Sequence, residues 1–179
     1  MEKYKYLLTY RYALIIHDLT VEFVKKNIDY KSRTRDQMEQ AARSGKQNIV
    51  EGVGQSQTSK KGEIKLLGVA KASFEELQAD YEDFLRQHQM KVYEKGSIII
   101  GKFQTIAYSL SNLRNLSDLG DLKVKAKLSN NPEANANFLL TLCHIVTYLL
   151  EKQIKAMIEK FEREGGLTEK LYWSRKNQV

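Results

Sequence analysis

Apolar positions recur along the chain at spacings of three and four residues, the period of helices that each bury one face. Over residues 4–28 the stripe is Tyr12, Ile15, Ile16, Leu19, Phe23 and Val24, with Arg11, His17 and Asp18 falling off it. A polar connection follows. Thr34 and Gln37 then form a capping box, the Thr hydroxyl serving the Gln37 N–H and the Gln side chain reaching back. This predicts a second helix over residues 34–52, with Gly52 and Gly54 as its C-terminal stop. Residues 55–58 are polar and aperiodic. Thr58 or Ser59 is the expected N-cap of a third helix reaching about Gln89. Its seam, Ile64, Leu67, Ala70, Phe74, Leu77, Tyr81 and Phe84, is spaced 3, 3, 4, 3, 4, 3, as in a coiled coil. Gly68 and Ala72 mark a second face of small residues. After a connection over residues 91–96, Ile99, Phe103, Ile106, Leu110 and Leu113 predict a fourth helix ending near Asp118. Four helices with short links predict an all-α chain, an antiparallel up-down-up-down four-helix bundle over residues 1–118.

Residues 119–131, with Gly120 and the alternating Lys123, Lys125 and Lys127, read as a linker. Asn131 is a natural N-cap with Pro132 in the first turn. A fifth helix is predicted from Pro132 to about Glu164 on the stripe Leu139, Leu142, Val146, Leu149, Ile154, Met157, Ile158 and Phe161, stopped by Gly165-Gly166. A short terminal helix over residues 167–176 completes a C-terminal helical extension, residues 132–179.

Composition narrows the class. The 179 residues suffice for one domain with a core, and a single Pro lets helices run long. The one cysteine, Cys143, excludes an internal disulfide and fits a reducing compartment. No signal peptide is evident. The longest apolar run, residues 138–150, is interrupted by Thr141, His144 and Thr147 and falls short of the about 20 residues of a membrane span. The expectation is a cytoplasmic protein with no membrane partner. The net charge is +7. Such an excess attracts nucleic acid through its phosphates, and it equally suits a protein whose surface lysines have no such partner.

Catalytic and metal chemistry find few residues. His17, His88 and His144 lie on three helices, none with a His or Cys one turn away. Cys143 and His144 are adjacent and point to different sides of a helix. Gly52-Val53-Gly54 lacks the lysine and preceding strand of a phosphate loop. Glu75, Glu76 and Glu151 lack the Glu-x-x-His spacing of di-iron bundles. The expectation is a protein that is not an enzyme and holds no cofactor. Asn48 and Glu51 are helical neighbours, read either as a satisfied polar pair inside the bundle or at a subunit contact, or as a ligand site. The first is preferred because buried polar groups exist as satisfied networks. Tyr4, Tyr6, Tyr10 and Tyr12 read as an interface cover, with base stacking the alternative.

Two blocks carry a resemblance. Gln37-Met38, Ala41-Ala42, Ser44, Asn48-Ile49 and Glu51-Gly52 form the first. Leu67-Gly68-Val69-Ala70-Lys71-Ala72-Ser73-Phe74-Glu75-Glu76-Leu77 form the second. Together they resemble the bacterial four helix bundle family, which includes proteins encoded in intervening sequences of large-subunit ribosomal RNA genes. Relatives of that architecture are the accessory variability proteins of diversity-generating retroelements. The basic loop before Thr34 departs from the pattern, which has a Pro and an acidic residue there. Leu149-Leu150, Gln153, Phe161, Glu164-Gly165-Gly166, Glu169, Leu171-Tyr172 and Arg175 resemble the suffix extension of some such proteins. The resemblance implies a ring-like homo-oligomer, a pentamer, that binds RNA or DNA and assists a partner protein, a reverse transcriptase among the candidates. Ala41, Ala42, Ser44, Asn48, Glu51 and Gly52 are then the structural and oligomer-forming residues. In a bundle of this kind the first and third connections share one end. That end gathers Lys25, Lys26, Lys31, Arg33, Arg35, Lys91 and Lys95, the expected nucleic-acid contacts. The alternative is a protein-interaction scaffold with no nucleic-acid role.

Overall fold

A computed structural model describes residues 3–111, 127–166, 172 and 174–176, and these residues form helices and connections without a strand. A short turn of 3-10 helix, Lys3–Tyr6, precedes α1 (Leu8–Asn27). The others are α2 (Arg33–Gln55), α3 (Lys60–Gln87), α4 (Ile98–Ser111) and α5 (Pro132–Glu164). The expected seams of α1 and α3 are buried, except that Ile64 is half-buried. Ser59 caps α3 by accepting the Gly62 N–H at 3.0 Å. Asn131 caps α5 by accepting the Ala134 N–H at 3.1 Å, with Pro132 at the first position. Gly165, at φ 67°, ends α5 in a backbone region that favours glycine.

Two boundaries of α2 differ from expectation. Its N-cap is Ser32, whose hydroxyl accepts the Thr34 N–H at 3.3 Å, so Thr34 lies inside the helix. The turn at Asp29 brings the chain into helical geometry two residues earlier than the capping box implied. At the other end the helix continues through Gly52 and Gly54 to Gln55. Gly52 is buried, and a Cβ there would stand 3.4 Å from the Glu63 carbonyl and 3.5 Å from Leu66, so it is a close-packing residue and not a stop.

The larger difference concerns which helices share the core. The expectation made residues 1–118 a complete packing unit and residues 132–179 an appendage. In the structure α3 packs most heavily on α2 and on α5, and α1 packs on the same two helices. One apolar cluster draws Ile16 and Phe23 from α1, Met38 and Ile49 from α2, Phe74 and Leu77 from α3, and Leu139, Leu142 and Val146 from α5. Gln78 donates to Thr147 at 3.1 Å and Lys71 bridges Glu75 and Glu151 at 3.4 and 3.5 Å, so α5 runs antiparallel to α3. Thr9 donates to Gln153 at 3.1 Å, which ties the start of α1 to the second half of α5.

α4 touches α5 lightly and α1 less. Its buried residues are Ile100, Ala107, Leu110 and Ser111, while the seam residues Ile99 and Ile106 are each 46% exposed. The physical reason is the apolar surface each helix offers. The first half of α5 is apolar on more than one side, so it buries more surface against α1 and α3 than the described part of α4 does. The expected linker residues 119–126, the seam position Leu113 and most of the expected helix over residues 167–176 lie outside the described residues.

Candidate nucleic-acid interface

Asp29 shapes the end where α1 passes to α2. Its carboxylate accepts the Lys31 N–H at 2.8 Å, and its carbonyl accepts the Ser32 N–H at 3.0 Å, closing a tight turn. Tyr30 and Lys31 are exposed on it, with the Lys31 ammonium 5.5 Å from the Tyr30 ring centroid. Lys25 and Lys26 occupy the last turn of α1, where the helix dipole favours cations. Arg33 and Arg35 open α2, where the dipole disfavours them. Arg35 is offset by Glu39 at 3.7 Å, and Lys26 is paired with Glu22. Lys25, Lys31 and Arg33 are exposed and make no ion pair among the described residues.

Lys91 and Lys95 lie on the connection after α3, at the same end of the molecule. α3 ends beside the α1–α2 turn: Asn27, Asp29 and Ser32 share a cleft of about 340 Å³ with Asp80, Asp83 and His88. The connection itself is held by α5. The Glu133 carboxylate accepts the Lys91 N–H at 3.1 Å and the Tyr93 hydroxyl at 3.0 Å. The buried Asn137 accepts the Tyr93 N–H at 2.8 Å and donates to the Lys91 carbonyl at 2.8 Å. α2 and α5 are not packed neighbours. The seven predicted cations therefore share one end but divide into two groups, Lys25 to Arg35 by α2 and Lys91 with Lys95 by α5.

The cleft by the first group is acidic, a feature the seam pattern of α3 hid by placing Asp80 and Asp83 among its solvent positions. Burial, then Glu76 and Asp83 on the same helix, raise the Asp80 carboxyl from its ordinary 3.8 to about 6. Its Oδ2 is buried and has no hydrogen-bond partner.

The residues expected to build structure or a subunit contact are mostly spent on joining α2 to α3. Ala41 and Ala42 are buried. A Cβ on Gly45 would stand 2.5 Å from the Phe74 ring, so this glycine is what lets the ring cross α2. Ser44 and Ser73 exchange a hydrogen bond at 3.0 Å, and Asn48 donates to the Ser44 carbonyl at 2.9 Å. Asn48 thus satisfies a backbone carbonyl as expected, while Glu51 is exposed and shares no hydrogen bond with it. Three residues along a helix turn the side chain by about 60°, enough to carry Glu51 from the α3 side into solvent. Gly68 faces open space and Ala72 is exposed, outside the close-packed strip. Tyr12 is core, accepting from Ser111 at 2.9 Å, and Tyr4 meets Tyr10 edge-on at 4.7 Å, so the four N-terminal tyrosines form no single face.

The far end also gains charge from α5. Lys60 is paired with the buried Glu63 at 3.1 Å, and Lys61 lies 5.7 Å from the Phe161 ring centroid. Lys160 and Glu164 line the same hollow as Lys60. Treating residues 132–179 as an appendage hid this neighbourhood; the matching lengths of α3 and α5 were the available signal.

Two further titratable groups, Cys143 and Tyr81, are buried in the core. Burial pushes the Cys143 thiol far up, and burial also raises the Tyr81 hydroxyl, which shares a hydrogen bond with Thr20 at 2.8 Å. Burial, then Lys95, lower His144. Among the described residues no three His, Cys, Asp or Glu side chains converge as metal ligands, and no helix is long and apolar enough to cross a membrane. No family description, characterised protein or solved structure matches the chain in comparisons of each kind.

Proposed function

We propose that this protein is a non-enzymatic antiparallel four-helix bundle, with α5 as its fourth member, that assembles with its own copies and binds RNA or DNA backbone. Its role is that of an accessory to a partner protein, and a reverse transcriptase is the partner that the resemblance implies. A cytoplasmic location fits its single, buried cysteine. The observation that carries the reading is the set of exposed cations at one end. Lys25, Lys31, Arg33, Lys91 and Lys95 have no ion pair among the described residues, so their charge is available to phosphates. Copies arranged in a ring would repeat both cationic groups around one rim, and weak contacts would add by avidity.

The test is a salt titration of RNA and DNA binding. Replacing Lys25, Lys31 and Arg33 by Gln is expected to weaken binding for every sequence and to flatten the log–log salt slope by about one unit for each phosphate no longer neutralised. Replacing Lys60 and Lys61, already engaged with Glu63 and Phe161, is expected to change much less. Unaltered affinity and slope in the triple variant, with its helicity intact, would remove the interface from this end. A scaffold without nucleic acid is the second reading. It is favoured by the acidic cleft of Asp29, Asp80 and Asp83 beside the cations and by the exposed apolar residues of α4.

A further inference from the structure

Tyr30 is the aromatic side chain that the fold leaves most open. It is 75% exposed, more than any other aromatic residue among those described. It stands at the first corner of the turn that joins α1 to α2, with Lys31 at the second. Turn chemistry does not ask for a large ring there, since Gly, Pro, Asn, Asp and Ser are the usual residues of such corners. Core packing does not ask for it either, because the ring is in solvent.

The turn holds this ring in place. Two hydrogen bonds close it, from the Ser32 N–H to the Asp29 carbonyl at 3.0 Å and from the Lys31 N–H to the Asp29 carboxylate at 2.8 Å. Little backbone freedom is then left to lose when a ligand binds. The Lys31 ammonium lies over one face of the ring, 5.5 Å from its centroid, and the exposure of Tyr30 leaves the other face to water. Lys25 near the end of α1 and Arg33 at the start of α2 bracket the turn, both exposed. The nearby carboxylates are placed otherwise. Glu22 is paired with Lys26, Asp36 lies further into α2, and Asp29 is engaged by the Lys31 N–H. The acidic cleft of Asp80 and Asp83 has neither Tyr30 nor Lys31 in its lining.

An open aromatic face among cations without ion pairs matches a flexible polyanion that carries flat rings. The cations hold phosphates and do not by themselves distinguish a duplex from a single strand. The ring does. In a duplex each base is stacked between its neighbours and must be taken out of the stack before a side chain can cover it. In a single strand the bases are free to stack on an aromatic residue, with little dependence on sequence. We infer that Tyr30 is a stacking platform for an unpaired base, so that this end of the protein takes single-stranded RNA or DNA in preference to duplex. This rests on the proposed backbone binding and names the form of nucleic acid that the site accepts.

The test uses the full chain and three probes, each made as RNA and as DNA: an unstructured single strand, the same strand in a duplex, and the same backbone without its bases. Tyr30→Ala, checked for native helicity and particle size, is expected to bind the single strand about tenfold more weakly, the loss of one stack. Its affinity for the duplex and for the abasic strand, and its salt slope on each probe, are expected to match those of the unaltered protein. Tyr30→Phe keeps the ring and is expected to keep single-strand affinity. Replacing Lys25 and Arg33 by Gln is expected to weaken all three probes and flatten the slope. An unchanged single-strand affinity in Tyr30→Ala, an equal loss on the abasic strand, or a duplex bound as tightly as the single strand by the unaltered protein would each overturn the inference. If binding in those cases still falls in the Lys25 and Arg33 variant, the backbone reading stands without the stack. A changed particle size in Tyr30→Ala would assign the ring to a contact between copies and overturn the inference as well. No binding of any probe by the unaltered protein overturns both.

Discussion

At the scale of single residues, Gly45 and Asp80 show how much depends on what lies opposite. Gly45 costs helix propensity, about 1 kcal/mol relative to Ala. The Phe74 ring, fully buried, occupies the space a Cβ would need. Gly45→Ala is therefore expected to destabilise the protein by about 1–2 kcal/mol net, since overpacking a closed core costs more than the propensity gained. Denaturant melts measure this, and a stabilised Gly45→Ala protein would mean that Phe74 has room to move. Asp80 works in the other direction. Its folded pKa of about 6 lies above the ordinary 3.8, so between those values the folded chain holds a proton that the unfolded chain does not. This contribution to stability is fully present below the lower value and is lost as pH rises through about 6. Asp80→Asn should remove the penalty, raising stability at pH 8 by about 1 kcal/mol after allowance for solvent at a half-buried site, with no gain at pH 4. Equal melting temperatures of the two proteins at pH 8 would contradict that account.

Among the elements, α4 and α5 exchange the roles that their seams suggest. Both have apolar residues at helical spacing, and a seam does not say how much partner surface is free to receive it. α5 fills the space between α1 and α3, and Asn137 fastens the preceding connection to it with bonds to both Lys91 and Tyr93. Such a helix should not unfold separately. Leu142→Ala, at a fully buried position, is expected to lower the free energy of a single cooperative transition by about 2–5 kcal/mol. Two transitions, with only the weaker one moved by Leu142→Ala, would mean that α5 is an independent unit after all. The helices themselves were legible in the sequence because spacing and caps are local. Asn131 with Pro132 and Gly165-Gly166 mark both ends of α5 by chemistry that needs no distant partner. The start of α2 was misread because Ser32 and Thr34 are both competent caps, and the turn closed by Asp29 chose between them.

For the whole molecule, the proposed self-assembly implies a definite particle size. Light scattering at micromolar concentration is expected to return five times the 20.7 kDa of one chain. A monomer would sink the ring and leave the two cationic groups to act without avidity. The candidate interface was only partly legible. Lys25, Lys31 and Arg33 could be grouped because they are close in sequence. Their separation from Lys91 and Lys95 depends on Glu133 and Asn137, more than 40 residues beyond Lys91, and the acidic cleft beside them depends on α3 ending against the α1–α2 turn.

What the sequence determined by itself was the all-helical character of the described residues, where their long helices lie, most of the described ends and the basic charge. Each is written in the order of neighbouring residues, where periodicity, capping and composition act. Only the tertiary structure decided that α5 and not α4 joins α1, α2 and α3, that Gly45 admits Phe74, that Glu51 faces water, and that α4 keeps apolar residues exposed. Those outcomes come from competition among faces of similar pattern for a limited interior. The winner is the face that buries the most apolar surface with its polar groups satisfied, a comparison that involves the whole chain at once.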